Sequence, residues 1–365
     1  MAPAGAHGFL TGEASHRALA EKAVASGLDA LDAAWARASE RREEGLRFGP
    51  LGLRLRIGGG RLAGALLPAV SHARGGPVPR DHPLLTAVDL AADGAALPHG
   101  RWPLPVRSRD DLAHQYHEAA ADLSLLADLG RGLWRYGSGG EGRYGFAVRD
   151  GAALPDWDEG APFRHEIDWI ARRHGLQLAH TAAIGLGGFG ILLTGPGGSG
   201  KSTTTAAAAL SGWQVAGEDF TLLEPGAPPL AHMVYDTMKL GPFGLSLDPA
   251  LESAVVNPAR SGEEKARLHL STLRPDAMAG SLRIGALVVA RVSGEARSIL
   301  TPIGRAEAMR ALAPSTIFLL KVGREAVFRR LGALVSGLPC YRIDLGRDPL
   351  EAVRALEPLC QRVAA

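Results

Sequence analysis

The chain has 365 residues, 46% of them hydrophobic, and a formal net charge of +2. This is enough apolar material for a sizeable core and suggests two domains; the charges are interspersed without basic runs, which leaves no footprint for nucleic acid or a membrane surface. The two cysteines, Cys340 and Cys360, are too few for a disulfide framework and read as buried thiols in a reducing, cytoplasmic setting.

Met1 to Glu13 lacks a basic start followed by an apolar stretch, so no signal peptide is expected. From Glu13 to Glu44 the apolar residues Leu19, Ala23, Leu28, Leu31 and Trp35 recur at helical spacing, predicting an amphipathic helix or helix pair that ends in charge at Arg41 to Glu44. Leu46 to Leu67 then alternates and predicts a β-hairpin turning at Gly58-Gly59-Gly60. Gly- and Pro-rich connections fill Gly75 to Pro105, a second helical stretch is expected over Arg109 to Leu129, and Leu133 to Val148 reads as a hairpin around Gly137 to Gly142. The cluster Gly137-Ser138-Gly139-Gly140 lacks a following Gly-Lys-Ser and a helix, so it is a turn and not a phosphate loop. A boundary falls near Ala152 to Gly160. It divides a smaller α+β N-terminal domain, 1–155, with substrate or partner binding as its expected role, from a second domain, 156–365.

Strands and helices alternate from there. A helix over Glu166 to His174 leads to strands at Leu178 to Ile184 and Phe189 to Thr194, then a helix over Ser202 to Leu210 stopped by Gly212 and a strand at Trp213 to Ala216. Later come a strand at Ile284 to Ala290, helices at Arg305 to Leu312 and Arg324 to Val335, a strand at Tyr341 to Leu345 and a helix from Pro349. The succession predicts an α/β sheet with its ligand at the carboxyl ends of the strands. Thr181 to Gly200 is uncharged and long enough for a membrane span, but four glycines interrupt it and it ends in a functional loop, so the span is rejected.

That loop is Gly195-Pro196-Gly197-Gly198-Ser199-Gly200-Lys201-Ser202-Thr203, a complete phosphate-binding motif between a strand and an alanine-rich helix. Its glycines turn backbone N–H groups onto phosphate oxygens, and the helix N-terminus adds partial positive charge. Lys201 can reach the β- and γ-phosphates of ATP, and the Ser202 hydroxyl can enter the shell of Mg²⁺. Lysine is rare here, with only Lys22, Lys201, Lys239, Lys265 and Lys321, so a lysine at the loop position answers a demand for a compact point charge. Glu218 and Asp219 follow the next strand and should emerge at the same sheet edge, where one acid can hold Mg²⁺ and the other can accept a proton from an attacking hydroxyl. The bland alternative is a solvated acidic turn.

His180 to Asp219 resembles the catalytic domain of the HPr kinase/phosphorylase family, grouped with phosphoenolpyruvate carboxykinase. A histidine fifteen residues before the first loop glycine (His180, Gly195), the loop itself and the run Gln214-Val215-Ala216-Gly217-Glu218-Asp219 carry the likeness. It implies a P-loop kinase domain of that type, with Glu218 as general base, Asp219 and Ser202 on Mg²⁺, His180 positioning phosphate or base, and self-association into a homo-oligomer. The family usually has aspartate where this chain has Glu218, and Pro196-Gly197-Gly198-Ser199 departs from the middle of its loop. The expected activity is an ATP- and Mg²⁺-dependent kinase acting on a hydroxyl, with serine of a peptide or small protein as acceptor. The alternatives are a nucleotide-gated sensor and a kinase of a small-molecule hydroxyl. The pair His114 and His117 lacks a third metal ligand and reads as surface histidines. Ser261 to Glu264 opens like a helix cap, which would put Lys265 and Arg267 in a first helical turn; contact of Lys239 or Lys265 with phosphate or acceptor is weighed against a solvated helix face.

Overall fold

The computed structural model describes residues 7–76, 78–92, 115–120, 122–261, 264–321 and 323–361. Helix α1 (His7–Arg37) leads into strands β1 (Arg41–Phe48) and β2 (Leu51–Gly58), helix α2 (Gly60–Leu66), and strands β3 (Leu84–Asp89), β4 (Gln115–Ala120), β5 (Leu123–Asp128), β6 (Leu133–Ser138) and β7 (Arg143–Val148). The seven strands form one mixed sheet in the order β1-β2-β3-β7-β6-β5-β4. Its central strands are buried on both faces: Val88, Leu125 and Ala147 meet Ala23, Leu28 and Leu31 of α1, while Leu55, Leu85 and Phe146 point the other way into a larger core. Period-2 alternation of side chains sorts neighbouring residues between these layers.

Several expectations change here. The charged run Arg41 to Glu44 is strand β1, not a helix end. The first hairpin turns at Gly49-Pro50, and the glycines at 58–60 instead open α2, because β1 pairs with β2 along its whole length. The described part of Arg109 to Leu129 is two strands, β4 and β5, paired to each other, so tertiary pairing overrides helical spacing there. β3 was hidden in the Gly- and Pro-rich stretch. His117 sits on β4, and His114 lies outside the described residues.

Two helices, α3 (Asp156–Gly160) and α4 (Arg164–Arg173), join this sheet to the rest. Then follow β8 (Gln177–Ala179), β9 (Ala182–Leu186), β10 (Phe189–Thr194), α5 (Lys201–Leu210), β11 (Gln214–Gly217), β12 (Thr221–Glu224), β13 (Leu230–Met233) and β14 (Thr237–Leu240). The chain continues through α6 (Pro242–Leu245), α7 (Pro249–Ser253), β15 (Ala266–His269), α8 (Leu270–Leu273), β16 (Ser281–Val292), β17 (Ile299–Pro302), α9 (Arg305–Leu320), α10 (Arg324–Ser336), β18 (Cys340–Leu345) and α11 (Pro349–Gln361). The fold is mixed α/β. β10 lies parallel to β16, and β16 parallel to β18, at the centre of a second sheet whose other pairings are antiparallel.

Helices cover the central strands on both sides. Ile191, Leu193 and Val288 pack on α5 and α11, while Leu192, Leu287 and Val289 pack on α9 and α10. The alanines at 206–209 of α5 are all buried, and their small side chains let the helix lie close on the sheet. The strands of the first sheet fall within 41–148 and those of the second within 177–345. One apolar cluster nevertheless includes Phe146, Phe163, Ile170, Leu178, Leu222 and Tyr235, so both sheets contribute to it. Cys340 and Cys360 are free and buried, and no helix among the described residues is long and apolar enough to cross a membrane.

Candidate functional site

The strand expected over Leu178 to Ile184 is broken in its middle, and the break makes the site. β8 pairs with β12, placing Ala179 opposite Thr221, and β9 pairs with β11, placing Ala183 opposite Gly217. Between these pairings the ladder lapses, where His180 and Thr181 on one chain face Glu218, Asp219 and Phe220 on the other. Gly217 makes the lapse possible: its φ is 147°, and a Cβ there would fall 2.6 Å from Thr221 Cγ2 and 2.8 Å from the Phe220 carbonyl oxygen. Side chains released from pleat and ladder then converge. His180 Nε2 donates to Asp219 Oδ1 at 2.8 Å, the Thr181 and Thr221 hydroxyls meet at 2.5 Å, and the His180 N–H donates to Thr316 Oγ1 on α9 at 3.0 Å. The carboxylate has no proton to give, so the bond assigns the proton to Nε2. His180 Nδ1 is buried without a partner in the described structure.

The loop Gly195–Gly200 joins β10 to α5, with Gly195, Gly198 and Gly200 at positive φ. Lys201 is 7% exposed, and its Nζ donates to Gly195 O at 2.7 Å and Pro196 O at 3.2 Å. Burial lowers its pKa, against the pull of Asp219 and Glu218. Ser199 Oγ is buried with no hydrogen-bond partner.

Glu218 is 4% exposed. Its Oε2 accepts from the Lys239 N–H at 3.3 Å, and its carboxylate accepts the Ser202 hydroxyl. Burial, reinforced by the charge of Asp219, pushes its pKa up to about 7. Asp219 goes the other way. Burial opposes its ionisation, but the His180 bond and the Lys239 ammonium, 3.8 Å from Oδ2, outweigh it and hold its pKa well below the ordinary carboxylate value. Adjacent acids driven apart in this way form a coupled pair with one carboxyl near neutrality and one firmly ionised.

His180, Asp219 and the loop border one cleft of about 340 Å³. It is lined by polar groups from His180, the loop and first turn of α5 from Gly197 to Thr204, Asp219 and Lys265, and by the apolar side chains of Phe243, Val292, Leu345, Pro349 and Ala352. The structure therefore brings Lys201, Ser202, Thr203, His180 and Asp219 to a shared cavity. Gly195, Pro196 and Glu218 stand behind its wall. Lys265 lines the cleft, but from a loop before strand β15, not from a helix: Ser261 N–H does meet Glu264 Oε2 at 3.3 Å, yet strand pairing with β14 follows instead of helical turns. Lys239 is on β14, largely buried against the acids, and not on a solvated helix face. Sequence reasoning missed Thr316 and the apolar lining of the cleft, which come from elements far along the chain with no local signature.

No family model matches this sequence, and no curated protein matches it. Among solved structures the chain is similar to the HPr(Ser) kinase/phosphatase from Coxiella burnetii, at 11% identity, covering 52% of this chain and 97% of that one with a TM-score of 0.30. The likeness is a distant one of fold.

Proposed function

We propose that the chain is an ATP- and Mg²⁺-dependent phosphotransferase that moves the γ-phosphoryl group to a hydroxyl, with serine of a peptide or small protein as the favoured acceptor. The observation that carries the reading is the meeting, in one cleft, of the glycine-rich loop with Lys201, Ser202, His180 and Asp219, with Glu218 set just behind the wall on the Lys239 N–H. The residues fit the groups they would hold. Loop N–H groups, the unpartnered Ser199 hydroxyl and the Lys201 ammonium are donors for phosphate oxygens. Ser202 and Asp219 offer the hard oxygen ligands that Mg²⁺ takes, and such an ion needs only one or two protein ligands besides phosphate and water. When bound, the ion neutralises charge on the phosphates.

The chain's own contributions are positioning and proton transfer. Lys201 exchanges its two loop carbonyls for phosphate oxygens, a compact charge moving a short distance. Ser202 and Asp219 would hold the ion, and Glu218, whose pKa is raised by burial and by Asp219, is the carboxylate placed to take the acceptor hydroxyl's proton. His180 keeps Asp219 ionised and oriented. The apolar side chains in the cleft lining suit a nucleobase. In the second reading, a nucleotide-gated sensor, Glu218 stays behind the wall on Ser202 and Lys239, the position it occupies in this structure. The test of the shared premise is calorimetric titration with ATP in Mg²⁺ against the Lys201→Ala variant. Saturable binding weakened about tenfold to about 100-fold in the variant is expected, and absence of binding to the wild type would remove the basis of both readings.

A further inference from the structure

We propose that α3 is a strut that holds Lys239 on the acid pair, making Lys239 a positioning residue for the phosphoryl transfer proposed above, on which this inference rests. Lys239 touches both acids at once, its N–H on Glu218 Oε2 at 3.3 Å and its Nζ 3.8 Å from Asp219 Oδ2. Asp219 is thus fixed from two sides, by His180 on one oxygen and Lys239 on the other. Lys201 at the start of α5 and Lys265 from the segment before β15 also act on the pair.

Gly160, the last residue of α3, stands directly behind Lys239. A Cβ at position 160 would lie 2.5 Å from Lys239 Cε and 3.0 Å from Nζ, whereas its next neighbour, Thr237 Cγ2, is at an ordinary 3.5 Å. The backbone at Gly160 is not in the left-handed region, so the space taken by Lys239 is what a methyl group there would disturb. α3 is itself gripped from two directions. Arg267, the cross-strand partner of Lys239, binds Asp156 Oδ1 at 2.9 Å and also pairs with Glu159. Arg135 on β6, buried, binds Asp158 Oδ1 at 2.5 Å and Glu166 Oε2 at 3.0 Å. A continuous line therefore runs from the first sheet through Arg135, α3 and Lys239 to the acids. Moving Lys239 would loosen the acids while leaving the phosphate loop untouched.

The test is a double-mutant cycle with Gly160→Ala and Lys239→Ala, read as kcat and as the KM for ATP in Mg²⁺, with thermal melts of each variant. Displacements of about 1 Å at a reacting centre cost up to about 100-fold. Each single variant should lower kcat by about tenfold to about 100-fold with KM unchanged, and the double variant should be no slower than Lys239→Ala. Additive losses, or full kcat in Gly160→Ala, would overturn the strut. A second readout needs no activity: competitive acetylation followed by peptide mass spectrometry should label Lys239 slowly in the wild type and faster in Gly160→Ala and in Arg267→Gln. Equal labelling in all three would refute the proposal even if the wild type transfers no phosphate, an outcome that by itself would count only against the phosphotransferase reading.

Discussion

Glu218→Gln should cost activity and add stability, two effects of opposite sign from one atom exchange. The carboxamide keeps the size of the side chain and one oxygen to accept the Lys239 N–H or the Ser202 hydroxyl, so the local structure should persist. It cannot take a proton. General-base catalysis contributes about 100-fold to about 10,000-fold, so transfer should fall by that factor, about 3 to about 5 kcal/mol of barrier. Stability follows from the pKa. A carboxyl raised from 4.5 to about 7 favours the neutral folded form, so its ionisation is a burden on the folded state that is absent below pH 4.5, grows as pH rises and is complete above about 7. The displacement is worth about 3 kcal/mol, part of it repulsion from Asp219, and glutamine removes it. Urea unfolding at about pH 8.5 should show the variant more stable than the wild type, with the gain vanishing near pH 5, alongside single-turnover transfer measured on the same preparations. Transfer within threefold of wild type, or a variant less stable at the alkaline pH, would refute the reasoning.

Wild-type kcat/KM should climb with pH and reach half its plateau near 7, since Glu218 must be ionised to accept a proton; a profile flat from about pH 6 to about pH 8 would assign the base elsewhere. Lys201→Ala removes a charge-assisted contact to phosphate worth about 1.5 to about 3 kcal/mol, which calorimetry should read as a loss of ATP affinity of about tenfold to about 100-fold; an unchanged Kd would contradict the loop assignment. Arg135→Met leaves Asp158 and Glu166 buried without their cation, and chemical unfolding should show a loss of about 3 to about 5 kcal/mol. A loss below about 1 kcal/mol would mean that the two acids find other partners or take up protons at little cost.

Elements built on local chemistry were legible in the sequence. A phosphate-loop motif, with its strand before and alanine helix after, needs glycine, lysine and serine at set spacing whatever surrounds it, and β10, the Gly195–Gly200 loop and α5 stand where that spacing predicts. The acids after β11 were legible for the same reason. What escaped depends on partners distant in sequence. β4 and β5 carry a helical apolar rhythm yet pair as strands; β5 is buried along nearly its whole length, which removes the alternation by which a strand is recognised. The break at His180 within an apolar run leaves no mark of its own, since it is produced by Gly217 on the opposing chain. The contrast between Glu218 and Asp219 was equally hidden, because adjacent carboxylates look alike until His180 and Lys239 are seen on one and burial on the other. Lys239 could be singled out by lysine scarcity but not located, and Gly160 had no signal beyond being one of many glycines.

The central claim is that this cleft passes a phosphoryl group from ATP to a hydroxyl. Intact-mass analysis of a pool of serine-containing peptides incubated with the protein, ATP and Mg²⁺, with Lys201→Ala in parallel, tests it most directly. The account predicts a gain of one phosphoryl mass on acceptor peptides, absent with the variant and with Glu218→Gln much slowed. Saturable ATP binding with no mass gain on any peptide or small hydroxyl compound would contradict it and leave the sensor reading in its place.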